Sequence, residues 1–161
     1  MKSFIVALMF TALFSGQAFT LSCVRPNAFW SAKHLNDQED DFIVFKGSLT
    51  LEEPIDGPGY ENPPKPKKTI GQTEGINLLT GEPFNERIAV QQHCYGPWCG
   101  TSSNKVIQDR LIYIRKQGEN YSIELNPCGG VIFAELKAEE EEKLIQCIKE
   151  KSCERPEPNY N

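Results

Sequence analysis

The chain has 161 residues, 39% hydrophobic and 24% charged, a size and balance that suit one globular domain. Its 17 Lys and Arg against 22 Asp and Glu give a formal charge of −5. That leaves no cationic surplus of the kind non-specific nucleic-acid binding needs, so no nucleic-acid partner is expected.

Residues 1–18 have the make-up of a secretory signal peptide. One lysine, Lys2, precedes an apolar run from Phe4 to Phe14 broken only by Thr11, and Gly16-Gln17-Ala18 supplies the small-x-small ending. The run is shorter than the ~20 apolar residues a membrane helix takes, and no second stretch approaches that length. The mature chain is therefore expected to be exported, periplasmic or secreted, with no transmembrane anchor. Leu21-Ser22-Cys23 resembles part of a bacterial lipoprotein box, but Thr20 stands where the box takes Leu. Lipidating Cys23 would also leave an odd number of cysteines.

Asn27 is placed to cap a short helix through Ala28, Phe29, Trp30, Ala32 and Leu35, with Phe29 and Trp30 expected in the core. The acidic run Asp37, Glu39, Asp40, Asp41 is not a calcium loop of EF-hand type, because Phe42 occupies the position that needs Gly. It reads as a solvated connection. Residues 42–51 are rich in β-branched and aromatic side chains and form the first strand, with Gly47 marking a bulge or coil. Pro54, Pro58, Pro63, Pro64 and Pro66 then exclude a ladder and predict an exposed, stiff loop over 52–68.

A second strand is expected over 69–79, with Thr80-Gly81-Glu82-Pro83 as its turn. A third follows over 86–94, where Ile88 and Val90 face one way and Arg87, Ala89 and Gln91 the other. After the loop Tyr95-Gly96-Pro97-Trp98-Cys99-Gly100 come a fourth strand over 110–115 and a fifth over 121–125, joined as a hairpin by Gln117-Gly118-Glu119-Asn120. Asn120-Tyr121-Ser122 at the hairpin tip is a glycosylation sequon. A helix over 138–150 closes the domain. Leu144, Ile145 and Ile148 form its apolar stripe, residues 139–142 are all Glu in its first turns, and Cys147 stands where it could pin the helix to the sheet. The domain spans 19–153, and the tail 154–161 is expected to be disordered.

All six cysteines, Cys23, Cys94, Cys99, Cys128, Cys147 and Cys153, follow the signal-like segment. An even count in an exported chain predicts three disulfides, whose pairing spacing does not choose. His93 beside Cys94 and near Cys99 is the one metal-like or Cys-His arrangement, and oxidation to disulfides outweighs it. No metal and no cofactor are expected. The chain has no Gly-x-Ser-x-Gly, His-Glu-x-x-His or glycine-rich phosphate loop, and an enzyme is not expected.

Five strands, a long loop after the first, a hairpin between the fourth and fifth and a closing helix suit a mainly β, five-stranded Greek-key barrel, the OB-fold, stapled by disulfides. Cys23-Val24-Arg25-Pro26 and the strand through Lys46-Gly47 resemble the opening of the netrin-module and tissue-inhibitor-of-metalloproteinases superfamily. Cys99-Gly100, Leu111-Ile112-Tyr113-Ile114, Pro127-Cys128 and the helix carrying Cys147 follow that superfamily's order. The Cys-x4-Cys-Gly set with Pro97-Trp98, and Pro127-Cys128-Gly129-Gly130, also resemble bacterial exported proteins of this type.

The resemblance implies that Cys23 bridges to Cys99 or to Cys128 and that Cys147 ties the last helix down. It also implies two functions. One is a non-catalytic module that binds an exported protein partner through the barrel face and the loops 52–68 and 95–103. Tyr95, Pro97 and Trp98 are its candidate contacts, with Trp98 either an exposed anchor or buried beside a disulfide. The other is inhibition of a metalloprotease, in which an N-terminal Cys23 would set its amine and carbonyl on the catalytic zinc. The family opens Cys-x-Cys, whereas this chain has Cys23 alone, and a cut after Ala18 leaves four residues in front of it.

Overall fold

The computed structural model describes residues 23, 26–38, 41–57, 65–95, 98–102 and 104–154. The signal-like segment, residues 58–64 of the proline-rich loop, Pro97 and the tail beyond Glu154 lie outside the described residues. Helix α1 (Ala28–Asp37) starts where the sequence places it, because the side chain of Asn27 accepts hydrogen bonds from the backbone N–H of Phe29 at 2.9 Å and Trp30 at 3.4 Å. The strands follow as β1 (Phe42–Leu51), β2 (Lys68–Asn77), β3 (Pro83–Phe84), β4 (Arg87–Gln92), β5 (Cys94–Tyr95), β6 (Trp98–Cys99), β7 (Val106–Gln117), β8 (Asn120–Leu125) and β9 (Ile132–Ala134). Helix α2 (Ala138–Glu150) ends the fold.

The five long strands close in the order β1-β2-β4-β8-β7, with β7 returning to β1. All neighbours are antiparallel except β4 and β8. This is the five-stranded Greek-key OB barrel, disulfide-stapled and finished by a helix. Alternation explains it. Ile88 and Val90 of β4, Ile123 and Leu125 of β8, Ile112 and Ile114 of β7, and Ile43, Phe45, Leu49 and Leu51 of β1 fill the interior. Gly47 lies opposite Gly75 on β2. A Cβ at Gly47 would stand 2.8 Å from the Phe45 ring and from Gly75 Cα, so glycine is what lets β1 coil that closely onto β2.

A second core lies outside the barrel wall. Val44 of β1 and Leu111 and Tyr113 of β7 face outward and are covered by Ala28 and Ala32 of α1 and Leu144 and Ile148 of α2. The Tyr113 hydroxyl donates to Ala28 O at 2.8 Å, and burial pushes its phenol well above the ordinary tyrosine range. Lys46, on the same side, pairs with Glu141 at 2.8 Å and Glu135 at 3.1 Å, tying β1 to α2. The hydrogen bond to Glu141 raises the lysine's pKa above 10.5 against the opposing effect of burial, and Glu135 adds to it. A raised lysine contributes stability that is complete below its unfolded value and is lost as pH climbs through the folded one. We expect the thermal midpoint of the native protein to fall in the alkaline range above about 10.5, and Lys46→Met to remove that part of the slope.

Several boundaries differ from the sequence reading. β7 begins at Val106, four residues early, because Leu49 and Thr50 of β1 pair with Ile107 and Val106 although that stretch shows no inward alternation. The irregularity expected at Gly47 is there, but the extra residue sits on β7. Two steps on β1 from Gly47 to Leu49 match three on β7 from Arg110 to Ile107, with Asp109 at φ +49°. The third strand stops at Gln92. His93 N–H donates to Leu125 O, and the chain turns off into a separate hairpin.

The disulfides are Cys23–Cys128, Cys94–Cys99 and Cys147–Cys153, and they fit an exported, stabilised module. Cys147 does not pin α2 to the sheet. Its partner lies six residues on, where Lys151 turns left-handed at φ +54° and Ser152 N–H returns to Cys147 O. The bridge staples the helix end to the segment after it, and Leu144, Ile148 and Lys46 do the docking. No helix among the described residues is long and apolar enough to cross a membrane.

Candidate binding site

The two loops expected to carry contacts meet at one end of the barrel. Ile55 and Ser102 exchange backbone hydrogen bonds at 3.0 and 2.8 Å, so the start of the first loop and the end of the second form one ladder step. Gln92, wholly buried, holds the junction. Its amide donates to Gly100 O at 2.8 Å and Asp56 O at 3.1 Å and accepts from Lys67 N–H at 3.2 Å. No motif singles out this glutamine. The only signal in the sequence is a polar residue on the inward phase of β4.

From that junction rises the β5–β6 hairpin. Cys94 faces Cys99 and Tyr95 faces Trp98, and the Cys94–Cys99 bridge closes its base. The hairpin is clamped to β8, since His93 N–H donates to Leu125 O at 2.8 Å and Gly100, whose own N–H donates back to His93 O at 3.0 Å, packs on the Leu125 carbonyl with no room for a Cβ. Tyr95 is 47% exposed and Trp98 36%, which makes both surface aromatics on a fixed support. The His93 ring meets Tyr95 edge-on at 4.9 Å. With Cys94 and Cys99 bonded to each other, no thiolate stands beside His93. No group of three His, Cys, Asp or Glu among the described residues is arranged to hold a metal ion.

Beside the hairpin runs a groove of about 500 Å³ between α1 and the β7–β8 wall. Trp30, Tyr95 and Tyr113 line it together with both cysteines of the Cys23–Cys128 bridge. Trp30, expected in the core, is instead 44% exposed and stacks on His34 with ring centroids 6.3 Å apart. The reason is local. The buried face of α1 is the small-residue set Ala28, Ser31 and Ala32, which lets the helix lie close on Tyr113 and turns Trp30 outward. That Ala-x-x-Ser-Ala spacing was the available signal.

Of the residues singled out beforehand, Tyr95 and Cys23 reach the groove and Trp98 stands across the hairpin from Tyr95. Asn120 is exposed at the first position of β8. The acidic connection begins with Asp37, which pairs with Lys33 at 2.9 Å. Comparison of the chain with family models, with curated proteins and with solved structures finds no match in any of the three.

Proposed function

We propose that this chain is an exported, non-catalytic binding module of netrin-module type that takes a protein partner at the hairpin and groove. The observation that carries the reading is a set of exposed aromatics on a support of a barrel and two disulfides, Trp30 and Tyr95 lining one groove and Trp98 paired with Tyr95 on the hairpin beside it. Large aromatics on a rigid support gain contact area at little conformational cost, which is why they dominate interface energies. The signal-like residues 1–18 support export to a periplasm or the medium. All six cysteines are bonded, so the chain carries no thiol nucleophile.

Immobilised mature protein should retain a partner from the exported fraction of its source cells. The double variant Tyr95→Ala, Trp98→Ala should weaken that interaction by about 2 kcal/mol or more with the thermal midpoint unchanged. Retention undiminished in a folded double variant would remove the hairpin from the site.

A second reading is metalloprotease inhibition through Cys23. It is favoured by the exposure of Cys23 in the lining of the groove, where the Cys128 bridge fixes it. Mass spectrometry of the exported protein decides it, because zinc chelation requires Cys23 to be the first residue with a free amine.

A further inference from the structure

β7 and β8 fork. They pair at Gln117–Asn120, Lys116–Tyr121 and Arg115–Ser122, and the same register continued would set Tyr113 opposite Glu124. Tyr113 instead donates its backbone N–H to Val131 O at 2.9 Å, and from Ile112 to Arg110 the neighbour of β7 is β9. Meanwhile β8 runs on beside β4. His93 N–H donates to Leu125 O at 2.8 Å, which assigns the backbone groups of Leu125, and by alternation those of Ile123, to the β4 side. Glu124 lies between them and turns its N–H and C=O the other way, into the fork. The fork is the groove, since Tyr113, Ile123 and Glu124 line it together with Trp30 and Tyr95.

Charge adds a second constraint. Glu124 is exposed, and its carboxylate has no hydrogen bond or ion pair among the described residues, whereas Arg115 on the same wall is engaged. The groove therefore carries, at Glu124, a carboxylate with no ion-pair partner among the described residues, on a chain whose formal charge is −5.

We infer that the groove takes an extended, cationic peptide segment of a partner protein, which adds to the edge of β8 at Glu124, a position with no strand partner on that side among the described residues. This rests on the binding-module reading and names the form its partner takes. A strand laid along β8 pairs its own N–H and C=O with those of Glu124, and that pairing accepts any sequence. Side chains then select. The residue opposite Glu124 sets its side chain on the same face, beside the carboxylate, and is basic. The residue two places along shares that face and reaches the space between Trp30 and Tyr95, so it is large and apolar. The segment recognised has a basic and an apolar residue separated by one position.

The test is to pan the disulfide-intact mature protein against displayed random octapeptides. Selected peptides should share the basic-x-apolar alternation and shift the amide resonance of Glu124. They should lose about tenfold or more in affinity with Glu124→Lys at unchanged thermal midpoint. N-methylation scanned along a selected peptide should give a comparable loss at one residue, the one that pairs with Glu124, and this readout needs no variant of the protein. No enrichment, or selected peptides indifferent to both changes, overturns the inference. So does a dimer in light scattering that Glu124→Lys abolishes, which would give the groove to a second copy of this chain. Partner retention through Tyr95 and Trp98 without peptide binding at Glu124 sinks the strand addition alone, whereas loss of both sinks the binding-module reading as well.

Discussion

Replacing Cys23 and Cys128 together by serine should lower the stability of the domain by about 5 kcal/mol, the largest effect expected of any bridge. The Cys23–Cys128 bridge spans 105 residues, against 5 for Cys94–Cys99 and 6 for Cys147–Cys153. The constraint a cross-link puts on the unfolded chain grows with the logarithm of the loop it closes, so the short bridges are each worth about 2 kcal/mol on the same reasoning. The long bridge also ties the segment leading into α1 to the turn after β8. Its loss should loosen the groove as well as the fold. Urea unfolding of the double variant should show a midpoint shift several times the experimental error. A shift no larger than that of Cys94→Ser, Cys99→Ser would mean that the unfolded chain is already compact around this contact.

The second large effect is expected at Gln92. Gln92→Leu keeps the volume but removes a donor to Gly100 O and Asp56 O and an acceptor from Lys67 N–H. It should cost about 3 kcal/mol, chiefly from the buried Gly100 carbonyl left without that partner. Gln92→Glu is the sharper variant. At neutral pH it would point a carboxylate at two carbonyl oxygens, so it should destabilise more than leucine does and recover in part as acid protonates it. Because residues 56, 67 and 100 all hang on this one amide, both variants should broaden the resonances of Tyr95 and Trp98 before global unfolding. If Gln92→Leu melts within a degree of the parent, the junction is held by the Ile55–Ser102 ladder step instead.

Much of the barrel was legible because its strands carry their own period. The inward phase of β4 and β8, the β-branched run of β1, the Asn27 cap and the Leu144/Ile148 stripe are each visible within ten or so residues. Elements of two or three residues, namely β3, β5, β6 and β9, are too short to show any period and exist because a longer neighbour offers them a ladder. The start of β7 escaped for a related reason. Residues 106–109 carry no inward alternation, and pairing with the far half of β1 makes them a strand.

The candidate site divides the same way. Tyr95 and Trp98 could be picked out because a cysteine-bounded loop with large aromatics is conspicuous in one dimension. Trp30, Gln92 and Glu124 could not. Trp30 is a groove residue only because small residues on α1 press that helix onto Tyr113, and Gln92 matters only because three distant backbone groups converge on it. Glu124 has no partner strand on its β7 side among the described residues only because Tyr113 N–H is given to Val131.

By itself, then, the order of residues determined an apolar alternation that must close on itself, two helices with one buried face each, and six cysteines with a partner to find. Which cysteines met, that Cys147 turned to its own helix end, and that β7 and β8 fork into a groove were decided by the tertiary structure. The physical reason is that hydrophobic periodicity is a local property of the chain. Hydrogen bonds between strands and bridges between loops depend on where distant segments arrive, and only the assembled barrel brings them there.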